Sequence, residues 1–291
     1  FIFPRILTID AYALYHTFTL YLGYITITHL GFPSGMVINY AGMDYDSIDR
    51  KQYRSEMLLL IGILSFFTLT FLAIAVIMSN KMIAYIALAI IPTGITGSYK
   101  ALLQAWNRFK LFSHISTILA TAVPMAALVY YLVTKTLPGD VYILIYLVVY
   151  WIVTFIISVE VYNKITGVKA NRLLSKENFE TEKIGLAMVL GNYINTLFVS
   201  ADKQFVKWFF GNQEFAYYSF GMSMQSLMTV FIISIAQPLF PAMAQGKFKD
   251  EEYNSIKELL IVFGSLSGCA YFAVSIIVKL FIQKYTSSLD I

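Results

Sequence analysis

A stripe of polar residues crosses one of the longest apolar runs of this sequence. Its members are Thr93, Gly97, Lys100, Gln104 and Asn107. Their spacing of three or four residues places them on one face of a helix. Lys100 lies about 12 Å deeper in the run than Arg108, at the rise of an α-helix. The stripe therefore faces a polar cavity in which Lys100 binds an anion, or Lys100 extends towards lipid headgroups while its neighbours bond to other helices.

Other polar residues lie inside apolar runs or near their ends. His16 stands near the start of the first run, where it can titrate, bind an anion or remain a satisfied interfacial histidine. Asn192 and Asn195 lie inside the sixth run, and such asparagines either line a cavity or join helices by hydrogen bonds. Asp202, Lys203 and Lys207 follow at its end, as topology anchors or as a charged gate in which the lysines meet a phosphate.

The sequence contains no recognisable catalytic constellation. It has no Gly-x-x-x-x-Gly-Lys-[Ser/Thr] motif, no nucleophile beside a base at a known spacing and no cluster of metal ligands around its single cysteine, Cys269. The net charge of +4 is modest and does not indicate a nucleic-acid partner. We therefore expect a protein that is not an enzyme, with no catalytic residue, no metal site and no cofactor.

Composition places the chain in a membrane. It is 58% hydrophobic and 13% charged, whereas soluble domains carry about 25% charged residues. Apolar runs of roughly 18 or more residues recur along it, and they predict an all-α polytopic membrane protein with about eight complete spans. The predicted spans are 12–30, 57–78, 82–106, 112–133, 141–161, 184–200, 215–240 and 259–281.

The loops between the runs alternate in charge. Most basic residues belong to the loops after the first, third, fifth and seventh runs, and basic loops remain in the cytoplasm. Those residues are Arg50, Lys51, Arg54, Arg108, Lys110, Lys164, Lys169, Arg172, Lys176, Lys183, Lys247, Lys249 and Lys257. This asymmetry predicts that Phe1 lies outside.

The longest polar connection divides the chain. We interpret 164–183 as a cytoplasmic linker between a first transmembrane bundle, 1–163, and a partial second bundle, 184–291. A short internal repeat favours this division. Tyr12-Ala-Leu-Tyr and Phe215-Ala-Tyr-Tyr each follow an acidic residue and begin a span that enters the membrane from outside. Parallel repeats of this kind occur in transporters whose pathway lies between the halves.

Short motifs across most of the chain resemble a known family. They are Pro4-Arg5-Ile-Leu, Tyr12-Ala-Leu-Tyr, Leu30-Gly31-Phe-Pro, Gln104-Ala-Trp-Asn-Arg-Phe-Lys, Asn192-Tyr-Ile-Asn-Thr-Leu-Phe-Val-Ser-Ala-Asp-Lys, Phe215-Ala-Tyr-Tyr-Ser-Phe and Ile235-Ala-Gln-Pro-Leu-Phe-Pro-Ala-Met. Together they resemble the Wzx-type O-antigen and capsule flippases of the multidrug/oligosaccharidyl-lipid/polysaccharide exporter superfamily. The chain departs from that family at Thr8 and Ala13, where glycine is usual. By this resemblance we expect a fragment that lacks the first helix and the end of the second bundle.

The resemblance implies transport of a polyprenyl-pyrophosphate-linked oligosaccharide from the cytoplasmic to the periplasmic leaflet of a bacterial inner membrane. Alternating access between the two bundles would move it, with membrane lipids and polysaccharide polymerase machinery as further partners. Arg5, Lys100, Lys203 and His16 would then contact the pyrophosphate, with Arg5 and Lys100 foremost.

Two rival functions stay open. One is a cation-coupled multidrug exporter, which usually needs a buried carboxylate, whereas the acids here stand at the ends of runs or in loops. The other is a non-transporting scaffold of an envelope-polymer assembly, for which the polar stripe around Lys100 would have no use.

Overall fold

The computed structural model describes residues 6–171, 175–223, 225, 226 and single positions between 257 and 276. The chain forms two compact units, Phe1–Ser219 and Phe220–Ile291. Every described residue of the second unit is helical. The assignment of 1–163, 164–183 and 184–291 to two bundles and a linker stays a prediction.

The described part of the first unit consists of helices and their connections, without strands. The α-helices are α1 (Ile9–Tyr24), α2 (Phe32–Tyr40), α3 (Arg50–Ile77), α4 (Lys81–Ala105), α5 (Phe109–Thr134), α6 (Gly139–Ile165) and α7 (Lys176–Phe209). A 3₁₀ segment, Ile25–His29, connects α1 to α2. Residues 212–219 are helical again after Gly211.

Polar side chains fix where several helices begin. The Thr8 hydroxyl accepts a hydrogen bond from the backbone N–H of Ala11 at the start of α1. Asp49, Asn80 and Ser175 accept equivalent bonds at the starts of α3, α4 and α7. Each cap satisfies a backbone donor that the first turn of a helix leaves unpaired.

Five helices are long and apolar enough to cross a membrane, namely α3, α4, α5, α6 and the part of α7 from Asn178 to Phe209. They correspond to five of the predicted spans and make the chain a multi-pass membrane protein. The predicted spans 215–240 and 259–281 lie largely outside the described residues. The predicted count of about eight is therefore not confirmed.

Large apolar side chains occupy both the interior and the surface of the first unit. Phe18, Leu60 and Leu102 are fully buried between the helices. Phe66 and Phe155 are exposed by 65% and 70%. An outer surface of this kind suits hydrocarbon rather than water, because lipid chains solvate apolar side chains without cost.

Pro92 lies inside α4 without leaving its neighbouring backbone unpaired. Proline removes the hydrogen bond to the carbonyl four residues earlier, which is that of Leu88. The indole N–H of Trp151 on α6 donates to this carbonyl at 3.1 Å. The Thr154 hydroxyl donates to the carbonyl of Pro92 at 3.1 Å. Helix α6 therefore holds α4 on both sides of the proline.

A cluster of charged and aromatic residues joins the loops at one end of the bundle, where α2 ends and α3 begins. Lys164 forms an ion pair with Asp46 at 3.1 Å, and its Nζ lies 4.1 Å from the centre of the Tyr45 ring. Arg108 lies over the same ring at 4.5 Å and is 3.6 Å from Glu160. Burial, with the carboxylate of Glu160 nearby, raises the pKa of Tyr45, so its neutral ring attracts both cations.

Candidate functional site

The first predicted span is not one continuous helix. After α1 ends at Tyr24, the backbone tightens into the 3₁₀ segment and then turns through Leu30 and Gly31, which have φ angles of 50° and 79°. Pro33 follows in the first turn of α2. An interrupted helix leaves carbonyl and N–H groups unpaired by the helix itself, so in membranes such breaks occur where they line a cavity or pack against protein.

The larger of two cavities beside this interrupted helix lies towards the end of the bundle where α3 ends and α4 begins. Its volume is about 1020 Å³. Tyr21 and Tyr24 of α1 line one wall, and Tyr193 and Lys207 of α7 line another. Lys207 donates a hydrogen bond to Asn212 at 2.7 Å, and Asp10 contributes a carboxylate to the lining. Tyrosines, amides and one ammonium group can bind both sugar and anionic parts of a ligand.

The smaller cavity, of about 410 Å³, lies between the break, α4 and α7. His29 and Ser34 line it from the break and α2, and Met188 lines it from α7. Thr93 and Gly97 line it from α4. Two of the five members of the polar stripe therefore face a cavity.

Helices α2 and α7 approach so closely that side chains are excluded between them. A Cβ atom added to Gly31 would overlap the backbone carbonyl of Gly185, and one added to Gly185 would overlap that of Gly31. A Cβ on Gly35 would meet the carbonyl of Thr181 in the same way. Small residues at four-residue spacing on both helices allow this contact, as is usual for helices crossing in membranes.

A polar network extends this contact towards the end of α2 and the start of α3. Asn178 of α7 accepts a hydrogen bond from Gln52 and donates one to Ser55, both at 2.7 Å. Asn39 donates to the hydroxyl of Thr181 at 2.7 Å. The network surrounds Glu56, which is only 1% exposed. Helix α7 thus packs closely on α2 and is joined to both α2 and α3 by side-chain hydrogen bonds.

The predicted site residues of α4 do not meet in one cavity. Lys100 is half-buried, lies 5.4 Å from the centre of the Phe112 ring and lines neither cavity. Gln104 is exposed. The helix ends at Ala105 and Asn107 has a φ of 56°, so Asn107 does not continue the stripe. The prediction that Lys100 binds substrate is untested by this placement.

The structure brings His16 and Lys203 together from α1 and α7. His16 packs on the ring of Tyr12 at 4.3 Å, and the charge of Lys203 acts on it. Asp202 is exposed and accepts hydrogen bonds from the hydroxyl of Tyr218 and the N–H of Lys203. No ion pair joins Asp202 to a lysine side chain within the described residues.

Three further site residues are placed apart from the cavities or not at all. Asn192 and Asn195 are exposed on α7 and line neither cavity. Arg5 lies outside the described residues. The predicted sixth span was also too short, because α7 runs from Lys176 to Phe209 and includes Asp202 and Lys203.

Sequence reasoning missed Glu56, Tyr40 and the glycines of the α2–α7 contact. Glu56 stood directly before a predicted span and was therefore counted as an acid at the end of a run. The spacing of Gly31 and Gly35 was a usable signal for close helix packing. Thr181, the hydrogen-bond partner of Glu56 on α7, is more than 120 residues away in sequence, so nothing local revealed the burial of Glu56.

Five long apolar helices define a polytopic α-helical membrane protein, and two cavities lie beside its interrupted helix. The chain belongs to the polysaccharide biosynthesis protein family, whose model matches residues 1–247. This family includes Wzx-type flippases, so the resemblance inferred from the motifs is confirmed. No curated protein and no solved structure matches the chain.

Proposed function

We propose that this chain moves a polyprenyl-pyrophosphate-linked oligosaccharide from the cytoplasmic to the periplasmic leaflet by alternating access. The oligosaccharide is a repeat unit of O-antigen, capsule or exopolysaccharide. The observation that carries this proposal is the family match over residues 1–247. Moving a lipid-linked sugar across the bilayer is the polysaccharide-related function that suits a multi-pass helical bundle with cavities and without a recognisable catalytic motif.

The packing of α7 supports alternating access. At the end where α2 meets α3, the glycine contact and the Glu56 network hold α7 against α2. Towards the other end, a cavity of about 1020 Å³ lies between α1 and α7. By the charge asymmetry of the loops, the closed end is cytoplasmic and the cavity is periplasmic. This arrangement corresponds to an outward-facing state after release of the oligosaccharide.

Basic and amide side chains are available for the anionic and sugar parts of the substrate. The pyrophosphate is bound in this proposal by Lys100, Lys203, Arg5 and His16. Lys207 is added to them because it lines the larger cavity. Gln104, Asn192, Asn195 and Asp202 are assigned to sugar hydroxyls or to restraint of the lysines. An ammonium in a site of low dielectric attracts a pyrophosphate far more strongly than in water.

The remaining features of the proposal follow from this task. The protein resides in a bacterial inner membrane with Phe1 on the periplasmic side, and it works without catalytic chemistry or a cofactor. Its partners are the lipid-linked oligosaccharide, membrane lipids and the polysaccharide polymerase machinery, and it has no nucleic-acid partner.

One observation favours a second candidate function, a cation-coupled multidrug exporter. Such exporters need a buried carboxylate, and Glu56 is one. A scaffold without transport is disfavoured, because a scaffold has no use for a cavity lined by tyrosines and a lysine.

Deletion of the gene for the full-length protein in its host tests the proposal. We expect loss of surface polysaccharide and accumulation of the lipid-linked repeat unit, both reversed by the wild-type gene. Unchanged polysaccharide with increased sensitivity to cationic drugs would reject the flippase and favour the exporter. Surface polysaccharide of altered chain length but normal amount would favour the scaffold.

A further inference from the structure

A carboxyl group that forms no ion pair within the described part of the chain is buried where α2, α3 and α7 meet. The Tyr40 hydroxyl donates to one oxygen of Glu56 at 2.7 Å, and the Gln52 amide donates to the other at 3.1 Å. Thr181 and Asn39 complete its polar surroundings. No lysine, arginine or histidine forms an ion pair with Glu56 within the described residues. Most buried carboxylates are paired, so this one is unusual.

The hydrogen-bond partners of Glu56 suit both protonation states. A neutral carboxyl group must donate one hydrogen bond, and the hydroxyl oxygens of Tyr40 and Thr181 can accept it. An ionised carboxylate only accepts, and the same hydroxyls together with the Gln52 amide can donate to it. Both forms can be hydrogen-bonded, so they differ mainly in what the loss of hydrating water costs. Burial raises the free energy of the ionised form much more than that of the neutral form.

The charged groups around Glu56 do not offset this loss. Tyr40 faces it from α2 and Tyr53 from α3. The cations at the start of α3, Arg50, Lys51 and Arg54, form no ion pair with it within the described residues. On α7, Glu180, Glu182 and Lys183 flank Thr181 in sequence and are exposed or half-buried. A buried negative charge would therefore destabilise the contact between α2 and α7, whereas the neutral acid would not.

We propose that Glu56 is a proton-binding site whose occupancy controls the separation of α2 and α7 at this end of the bundle. A proton bound to a carboxyl oxygen permits the closed contact. Release of the proton leaves a carboxylate that gains hydration when α7 moves away from α2 and α3. The inference rests on the alternating access of the proposed function, but it concerns the gate and not the substrate.

Spin-label distances in the full-length protein, embedded in lipid nanodiscs, test this proposal. Labels at Ile38 of α2 and Lys183 of α7, both exposed, report the separation after Cys269 is replaced by serine. We expect the long-distance population to grow as the pH rises from about 5 to about 8 in the wild type. Glu56→Gln should hold the short distance at every pH, because the amide cannot ionise.

A matched control is Asp49→Asn, which removes one negative charge from the same helix at an exposed position. Asparagine caps a helix as well as aspartate, so this variant should keep the wild-type pH dependence. Labels at Leu69 and Leu132, both exposed and on α3 and α5, should show one distance throughout.

Tyr40→Phe provides a second test of the proposal, which remains valid if Glu56→Gln fails to insert into the membrane. The phenyl ring cannot donate to the ionised carboxylate, so the pH midpoint of the transition should rise by roughly one unit while the transition persists. An unshifted midpoint would overturn the proposal.

Three further results would overturn the proposal as well. They are a spin-label distance in the wild type that does not change with pH, an unchanged pH dependence in Glu56→Gln, and a change of distance that depends on sodium concentration at constant pH. Failure of the gene deletion to affect polysaccharide would reject the proposed substrate and leave the pH-dependent gate standing.

Discussion

Gly185→Ala is the sharpest perturbation of the contact between α2 and α7. The added Cβ would overlap the carbonyl oxygen of Gly31 and lie 2.6 Å from its carbon and 2.9 Å from the backbone nitrogen of Gly35. Real Cβ contacts are essentially never shorter than 3.0 Å. Backbone atoms cannot rotate away as the end of a flexible side chain can. The two helices must therefore move apart.

The magnitude follows from these distances. Restoring an ordinary carbon–carbon contact requires a displacement of about 1 Å. Overpacking of this kind destabilises a well-packed interface by about 1–3 kcal/mol. The closed population should then fall by about 5- to 150-fold relative to the separated one.

Gly191→Ala is the matched control on the same helix. No atom lies within 4 Å of a Cβ added at Gly191, which is exposed. Alanine also favours a helix by up to about 1 kcal/mol over glycine, so this variant should keep or improve stability.

The assay is the same spin-label pair at Ile38 and Lys183, together with surface polysaccharide in the complemented deletion strain. We expect Gly185→Ala to populate the long distance and to reduce polysaccharide, and Gly191→Ala to match the wild type. Equal behaviour of the two variants would refute the close contact of α2 with α7.

Three further substitutions test other parts of the account. Lys100→Ala in the full-length protein should abolish surface polysaccharide while an immunoblot of membranes shows normal abundance, and normal polysaccharide would remove Lys100 from the mechanism. Trp151→Phe leaves the carbonyl of Leu88 without its donor and should lower the free energy of unfolding by about 1–3 kcal/mol in a thermal scan, whereas Trp208→Phe, at a 72% exposed position, should not. Lys207→Met should weaken binding of a polyprenyl pyrophosphate to the purified protein at least about tenfold, and undiminished binding would exclude the larger cavity as its site.

Much of the fold could be predicted from local patterns. Apolar runs of spanning length gave α3 to α6 because continuous hydrophobicity is a strong signal. Residues that cap helices, such as Asn80, stand directly before those runs. The break after Tyr24 could not be read from hydropathy, because Ile25 to Leu30 are as apolar as the helix before them, and only Gly31 and Pro33 indicated a change of backbone.

The candidate site was predicted less completely because it depends on contacts between distant segments. Thr93 and Gly97 line a cavity, and the periodicity of the sequence shows that they share a helix face, although it left open what that face contacts. Glu56 was missed because its burial depends on Asn178 and Thr181, which belong to a helix that begins far along the chain. Helix periodicity shows which residues share a face, but it does not show what packs against that face.

Translocation by the purified full-length protein is the most direct test of the central claim. The protein is reconstituted into liposomes with a lipid-linked oligosaccharide in both leaflets, and a glycosidase added outside digests the accessible sugar. A flippase exposes the inner pool, so we predict complete digestion at a rate that increases with the amount of protein. Digestion that stops at about half, as in protein-free liposomes, would contradict the claim.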